Sequence, residues 1–228
     1  MKIKARRAGL AALVVAVLAG CQGGAATGDE PGERATAGPS ARVPASPEAP
    51  PEGERLSSGA LQSRWWTWAA SEPERTNPVA DPDGSSCGRN QPRDVWFLAG
   101  TFGTQVRRTC TVPGGVRLAF PVVNSIGTST NCADFMRTAK GTAVLDGRRL
   151  GPEVYQGDEI SVQAAAGNPI TESAGRFTTT GCGVWVQLPP LAPGRHTLTI
   201  RGESAGFSVG VDYSLDVGSA SGAGSASA

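Results

Sequence analysis

Several residues of this chain are of types that do chemistry, and their spacing says whether they can. Gly202-Glu203-Ser204-Ala205-Gly206 matches G-x-S-x-G, the strand-to-helix elbow that exposes a nucleophilic serine beside an oxyanion hole. That chemistry needs a helix after the serine and a histidine later in the chain. Here the flanks read as strands and the only histidine, His196, comes first, so the segment is read as a Gly-rich hairpin loop. His196 falls on the inward-facing register of a strand pattern or at that strand's start, which suits a packed or edge histidine better than a general base. Asp81-Pro82-Asp83-Gly84 resembles a fragment of a calcium loop without the closing bidentate carboxylate, and is read as a turn before Cys87. Asp158-Glu159, Glu172 and Asp212 supply acids, but no pattern pairs them across a cleft as glycoside hydrolysis requires. No catalytic residue is assigned.

Cysteine and tryptophan carry more information. Cys87, Cys110, Cys132 and Cys182 form an even set, so two disulfides are expected if the chain is exported. Three pairings are possible. Cys87–Cys110 and Cys132–Cys182 are favoured because each closes a moderate loop and lies next to an apparent strand end. By loop entropy each contributes roughly 3–4 kcal/mol. Zinc is the alternative, but Cys-x-x-Cys spacing is absent and His196 is near none of the four, so neither a metal nor any cofactor is expected. On a helix, Leu61, Trp65 and Trp68 form one stripe, while Trp66 lies about 100° round from Trp65. The plainer reading has Trp66 covering an edge of the fold. The functional one makes Trp66, exposed beside Arg64, the candidate contact for a sugar ring or a protein partner. Trp96 and Trp185 lie inside strand patterns and are read as core.

The elements that must position these residues are mostly strands. One short helix begins at Ser57 or Ser58 and ends before Pro73. Apolar or β-branched runs follow at 95–98, 116–123, 142–145, 160–163, 176–179, 184–188, 196–200 and 207–217, with Gly, Pro, Asn or Asp in almost every gap. Asp146-Gly147 marks a tight hairpin turn. Roughly eight short strands predict a mainly β fold, an Ig-like or jelly-roll β-sandwich with one short N-terminal helix. The domain is placed at 57–217. Residues 22–56 are rich in Gly, Ala, Pro, Glu, Ser and Thr and are read as a disordered tether, and 218–228 as a Gly/Ser/Ala tail.

Residues 1–20 read as a signal peptide: a basic start through Lys2, Lys4, Arg6 and Arg7, then an apolar run from Ala8 to Gly20, too short to span a bilayer. The run closes in Leu18-Ala19-Gly20-Cys21, which resembles the lipobox of bacterial lipoproteins. That resemblance implies a diacylglyceryl thioether on Cys21, cleavage before it and acylation of the new amino terminus. A second acyl chain is what makes such anchoring stable. Gln22 is not the Asp that retains lipoproteins at an inner membrane. The expected location is the outer face of the cytoplasmic membrane, or the outer membrane where there are two. Removing residues 1–20 takes away four cations and no acid, so the formal charge moves from +1 to −3. Nucleic acid is therefore not an expected partner.

A wider resemblance runs through Trp65-Trp66-x-Trp68-Ala69, Val95-Trp96-Phe97-Leu98-Ala99-Gly100-Thr101, Arg108-x-Cys110-Thr111-Val112-Pro113, Phe120-Pro121-Val122-Val123-Asn124 and the Leu188-Pro189-Pro190-Leu191-x-Pro193-Gly194-x-His196-Thr197 segment. These are similar to a family of exported bacterial β-rich proteins for which no activity is established. The expected function is a membrane-anchored surface lipoprotein presenting a binding domain. Its expected partners are the membrane, through the lipid on Cys21, and an envelope glycan or surface protein. The alternatives are an envelope hydrolase and a structural accessory of envelope assembly.

Overall fold

The structure is a computed structural model, and it describes residues 55–219. Helix α1, Ser58–Ala69, starts where Ser57 accepts a hydrogen bond from the Ala60 amide, and it turns Leu61, Gln62, Trp65, Trp66, Trp68 and Ala69 inward. The strands then follow as β1 (Val95–Phe97), β2 (Gln105–Val112), β3 (Arg117–Gly127), β4 (Lys140–Leu145), β5 (Arg148–Arg149), β6 (Glu153–Ala164), β7 (Gly175–Leu188), β8 (Gly194–Ser204) and β9 (Phe207–Val217). A second helix, α2 (Ser129–Met136), lies between β3 and β4. It is absent from the sequence expectation because its apolar positions, Cys132, Phe135 and Met136, span barely one turn, too short a run for a helical period to stand out.

Two sheets pack face to face, with orders β1-β3-β7-β6 and β2-β9-β8-β4-β5. The chain leaves one sheet after β1 and joins the edge of the other as β2, running parallel to β9. With β1 and β2 as a split first strand, this is the strand order of an immunoglobulin-type sandwich rather than a jelly roll. The inter-sheet core includes Phe120 and Val186 from one sheet and Ile200, Val211 and Tyr213 from the other. A second core lies outside the four-stranded sheet, where α1 covers Phe97, Ile160, Val162 and Trp185. Trp65 sits edge-on to Trp185, ring centroids 5.5 Å apart. Trp185 therefore belongs to the helix-side core and Trp96 to the inter-sheet core. β7 is buried on both faces, which explains its unbroken apolar run Val184-Trp185-Val186.

Most strands run longer than their apolar runs, and two depart from the sequence expectation more deeply. The runs at 176–179 and 184–188 are one strand, β7, although Gly181 and Gly183 read as a break. Their role is close approach: a Cβ on Gly181 would lie 2.7 Å from Ile160 Cδ1, and one on Gly183 2.6 Å from the Val123 carbonyl. β2 was missed altogether, because its inward positions include an arginine, Arg108, between Val106 and Cys110.

Both expected disulfides are present. Cys87–Cys110 spans a Cα–Cα distance of 5.9 Å and ties the 77–94 segment to β2. Cys132–Cys182 spans 5.7 Å and fastens α2 to β7. They mark the domain as one built for an oxidising, extracytoplasmic compartment. Among the described residues no helix is long and apolar enough to cross a membrane. Cys21, the signal segment and most of the tether lie outside the described residues.

Candidate functional site

The motifs with catalytic form resolve into turns. Ser204 and Phe207 pair across the β8–β9 hairpin, whose tip is Ala205 and Gly206, both at positive φ. Ser204 is buried and donates to the Phe135 carbonyl at 2.5 Å, so it fastens α2 and is no nucleophile. Asp81 accepts from the amides of Asp83, Gly84 and Ser86, which uses both its oxygens to shape the loop before Cys87. Asp158 and Glu159 lie on the four-stranded sheet and Asp212 on the other, bound to Arg201 and Thr199. No group of His, Cys, Asp or Glu able to hold a metal occurs among the described residues.

His196 stands near the start of β8 on the inward register, as expected. Its Nδ1 is 2.6 Å from Asp146 Oδ2 and its Nε2 2.9 Å from the Ala192 carbonyl. Both ring nitrogens thus face oxygens, an arrangement that only the doubly protonated ring satisfies. The hydrogen bond to Asp146 is the main cause of a pKa raised above 6.5, and the same bond holds Asp146 below 3.8. A raised histidine stabilises below its unfolded pKa and stops doing so as pH climbs through the folded one; a depressed aspartate stabilises above 3.8 and stops as pH falls through its folded value. The pair therefore helps most between about pH 4 and 6.5. Because Asp146 is exposed, the gain stays under about 1 kcal/mol. Unfolding in urea at pH 6 and pH 8 is expected to show this small loss in the wild type and none in His196→Gln. A pH-independent difference between the two proteins would refute it.

Trp66 is not exposed. It retains 8% of its accessible surface, so it cannot offer a face to a sugar. The buried face of α1 is wider than the Leu61-Trp65-Trp68 stripe and takes in Trp66 with Gln62 and Ala69, and Val79 and the Gly100-Thr101-Phe102 connection close over it. Arg64 makes a two-pronged bond to Asp94, at 2.9 and 2.5 Å, and holds that carboxyl below its ordinary pKa. The exposed Trp66–Arg64 contact pair expected from the sequence is thus not formed.

A different site emerges from strand directions. β3, β6 and β8 run one way, and β2, β4, β7 and β9 the other. Connections 98–104, 128–139, 165–174 and 205–206 therefore gather at one end of the sandwich. The opposite end receives the chain, where Leu56 exchanges two hydrogen bonds with the Gln187 amide, and releases it, where Gly218 donates to Val112. At the first end Phe102 is 48% exposed, one of two large apolar side chains so placed among the described residues. Beside it lies an open trough of about 440 Å³ between the ends of β4, β8 and β9. Its lining charges are paired, Lys140 with Glu203 at 2.9 Å and Arg201 with Asp212, a residue of β9 outside the lining, at 2.7 Å.

Behind Phe102 is a smaller cavity of about 60 Å³, bounded by Trp66, Pro121, Val122, Asn124 and Val209 among others. Its origin is legible in the ladder. β1 stops at Phe97, paired with Ala119, so from Pro121 onward β3 keeps β7 on one side and has no strand on the other. Proline is tolerated there because it has no amide to pair, and a bulge between Pro121 and Val123 bends the strand away. α1 and the 98–104 connection cover the exposed flank incompletely, and the cavity is what they leave.

Compared with protein-family models, with curated proteins and with solved structures, the chain matches none.

Proposed function

We propose that this protein is a lipid-anchored display domain of a bacterial envelope, binding an envelope glycan or surface protein through the loop end that carries Phe102. The observation that supports it most is the separation of the two ends: the chain enters and leaves at one, and the exposed phenylalanine, the trough and the cavity lie at the other. A tether running back to Cys21 would then leave from the end opposite Phe102. An exposed aromatic with a neutral polar surround suits a partner of low charge, since aromatic anchors supply contact area at small entropy cost.

The test has two arms. The mature protein is expected to carry the mass of a lipidated Cys21, and Cys21→Ala to leave the membrane fraction for the medium or to stay unprocessed. The protein is also expected to cosediment with purified cell-wall sacculi, with Phe102→Ser weakening this by about tenfold. A mature protein without lipid mass would remove the anchor. Equal cosedimentation of wild type and Phe102→Ser would remove the binding end.

A further inference from the structure

The cavity behind Phe102 has a chemical character of its own. The indole Nε1 of Trp66 and the side-chain Nδ2 of Asn124 are both buried, both belong to residues lining it, and neither has a hydrogen-bond partner. A buried donor left unpaired costs about 1–3 kcal/mol, so two on one small cavity favour an occupant that brings an acceptor. The remaining walls are largely apolar, with Val79, Val122 and Val209 among them, and no charged residue lines the cavity. A carboxylate would enter there without a counter-charge, which is expensive, whereas a neutral carbonyl needs only the two donors. Whole small-molecule sites run to about 300–1,000 Å³. At about 60 Å³ this one takes a substituent and not a ligand.

We infer that the cavity receives the acetamido group of an N-acetylated amino sugar, its carbonyl oxygen accepting from Trp66 Nε1–H and Asn124 Nδ2–H and its methyl resting on the valines. Phe102, which lines the cavity and reaches solvent, is placed to lie against the sugar ring outside. Trp66 then contributes through its N–H edge and not its face. The inference rests on the reading of this end as the binding end, and it names the glycan class that end recognises.

The test uses the full mature chain, ¹⁵N-labelled and held in detergent micelles, titrated with diacetylchitobiose, with the same disaccharide lacking both acetyl groups, and with cellobiose. The Trp66 indole resonance, assigned by its loss in Trp66→Phe, is expected to move with the acetylated sugar alone. The indoles of Trp96 and Trp185 are equally unpartnered but lie outside the cavity, so they serve as internal controls and should stay still. Asn124→Leu, which keeps the volume and removes a donor that has no partner of its own, is expected to weaken binding about tenfold without lowering thermal stability. No movement of the Trp66 resonance with diacetylchitobiose, or equal movement with the deacetylated sugar, overturns the inference. If that happens while sacculi still retain the wild type and release Phe102→Ser, the binding end survives and only its ligand is wrong.

Discussion

Replacing Arg108 by alanine is expected to destabilise the domain by about 3–5 kcal/mol, the range seen when a buried charged group is taken from partners that cannot re-solvate. Arg108 is 2% exposed, in the middle of β2. Its Nε donates to the Asp81 carbonyl at 2.7 Å and its Nη2 to Val79 at 2.9 Å. Its Nη1 reaches the carbonyls of Ala99 and Gly100 and the hydroxyl of Tyr213, at 2.9 to 3.0 Å. Among the described residues it forms no ion pair. The guanidinium is held by backbone oxygens from two connections that have no strand of their own, and its planar fork of donors suits that task as an ammonium does not.

Two consequences separate this from simple loss of packing. Arg108→Met keeps the volume but leaves the carbonyls unpaired, so it should recover little of the loss, and Arg108→Lys only part. Hydrogen exchange should accelerate at 77–84 and 98–104 before it does in β8 and β9. Since 98–104 walls the cavity, Arg108→Lys should also weaken retention on sacculi. Urea unfolding with disulfides intact gives the energy. A loss below about 1 kcal/mol for Arg108→Ala would mean that water replaces the guanidinium, contrary to its burial.

Removing the Cys132–Cys182 bridge as the double serine variant should cost about 4 kcal/mol, from the chain entropy of a loop of 50 residues. Cys87–Cys110, closing 23, should cost somewhat less, about 3.4 kcal/mol. The first effect is also the more local. α2 is eight residues long, too short to persist alone, and Cys132 is its one buried side chain. Without the bridge it keeps its Thr128–Asn131 cap, the Ser204 bond to Phe135 and the partial packing of Phe135 and Met136 on the inter-sheet core. Amides 129–136 are therefore expected to lose protection while the Trp65–Trp185 contact, and with it the near-ultraviolet circular dichroism, persists. Protection at 129–136 unchanged in the double variant would show that α2 is held by packing instead.

The alternation of apolar and polar residues, the turn at Asp146-Gly147 and the even set of cysteines were enough to predict a sandwich with its helix in front. These are local consequences of side-chain period and φ preference, and a chain carries them without knowing its neighbours. The cysteine pairs were legible because loop length and strand ends left few sensible choices. Strand β2 was not. An arginine on an inward register reads as polar surface until the carbonyls of residues 79, 81, 99 and 100 are brought round it. The merged β7 was hidden for a related reason, since glycine marks both a break and a close approach, and only the neighbouring strands β3 and β6, with α1 above them, say which.

The site shows the same division most sharply. From the sequence, Trp66 could be placed off the Leu61-Trp65-Trp68 stripe of α1, and so singled out as the indole without an assigned place. Whether it met solvent depended on residues 79 and 100–102, which Arg108 helps to hold through the carbonyls of Val79 and Gly100. The unpaired Asn124 amide beside it depends on β1 ending early, a fact of the hydrogen-bond ladder and not of composition. Periodicity determines which side chains a helix turns toward its own sheet. What closes over the remaining side is settled by contacts between distant segments, so the sequence marked Trp66 as unusual and the tertiary structure decided that its N–H, and not its ring face, is what it has to offer.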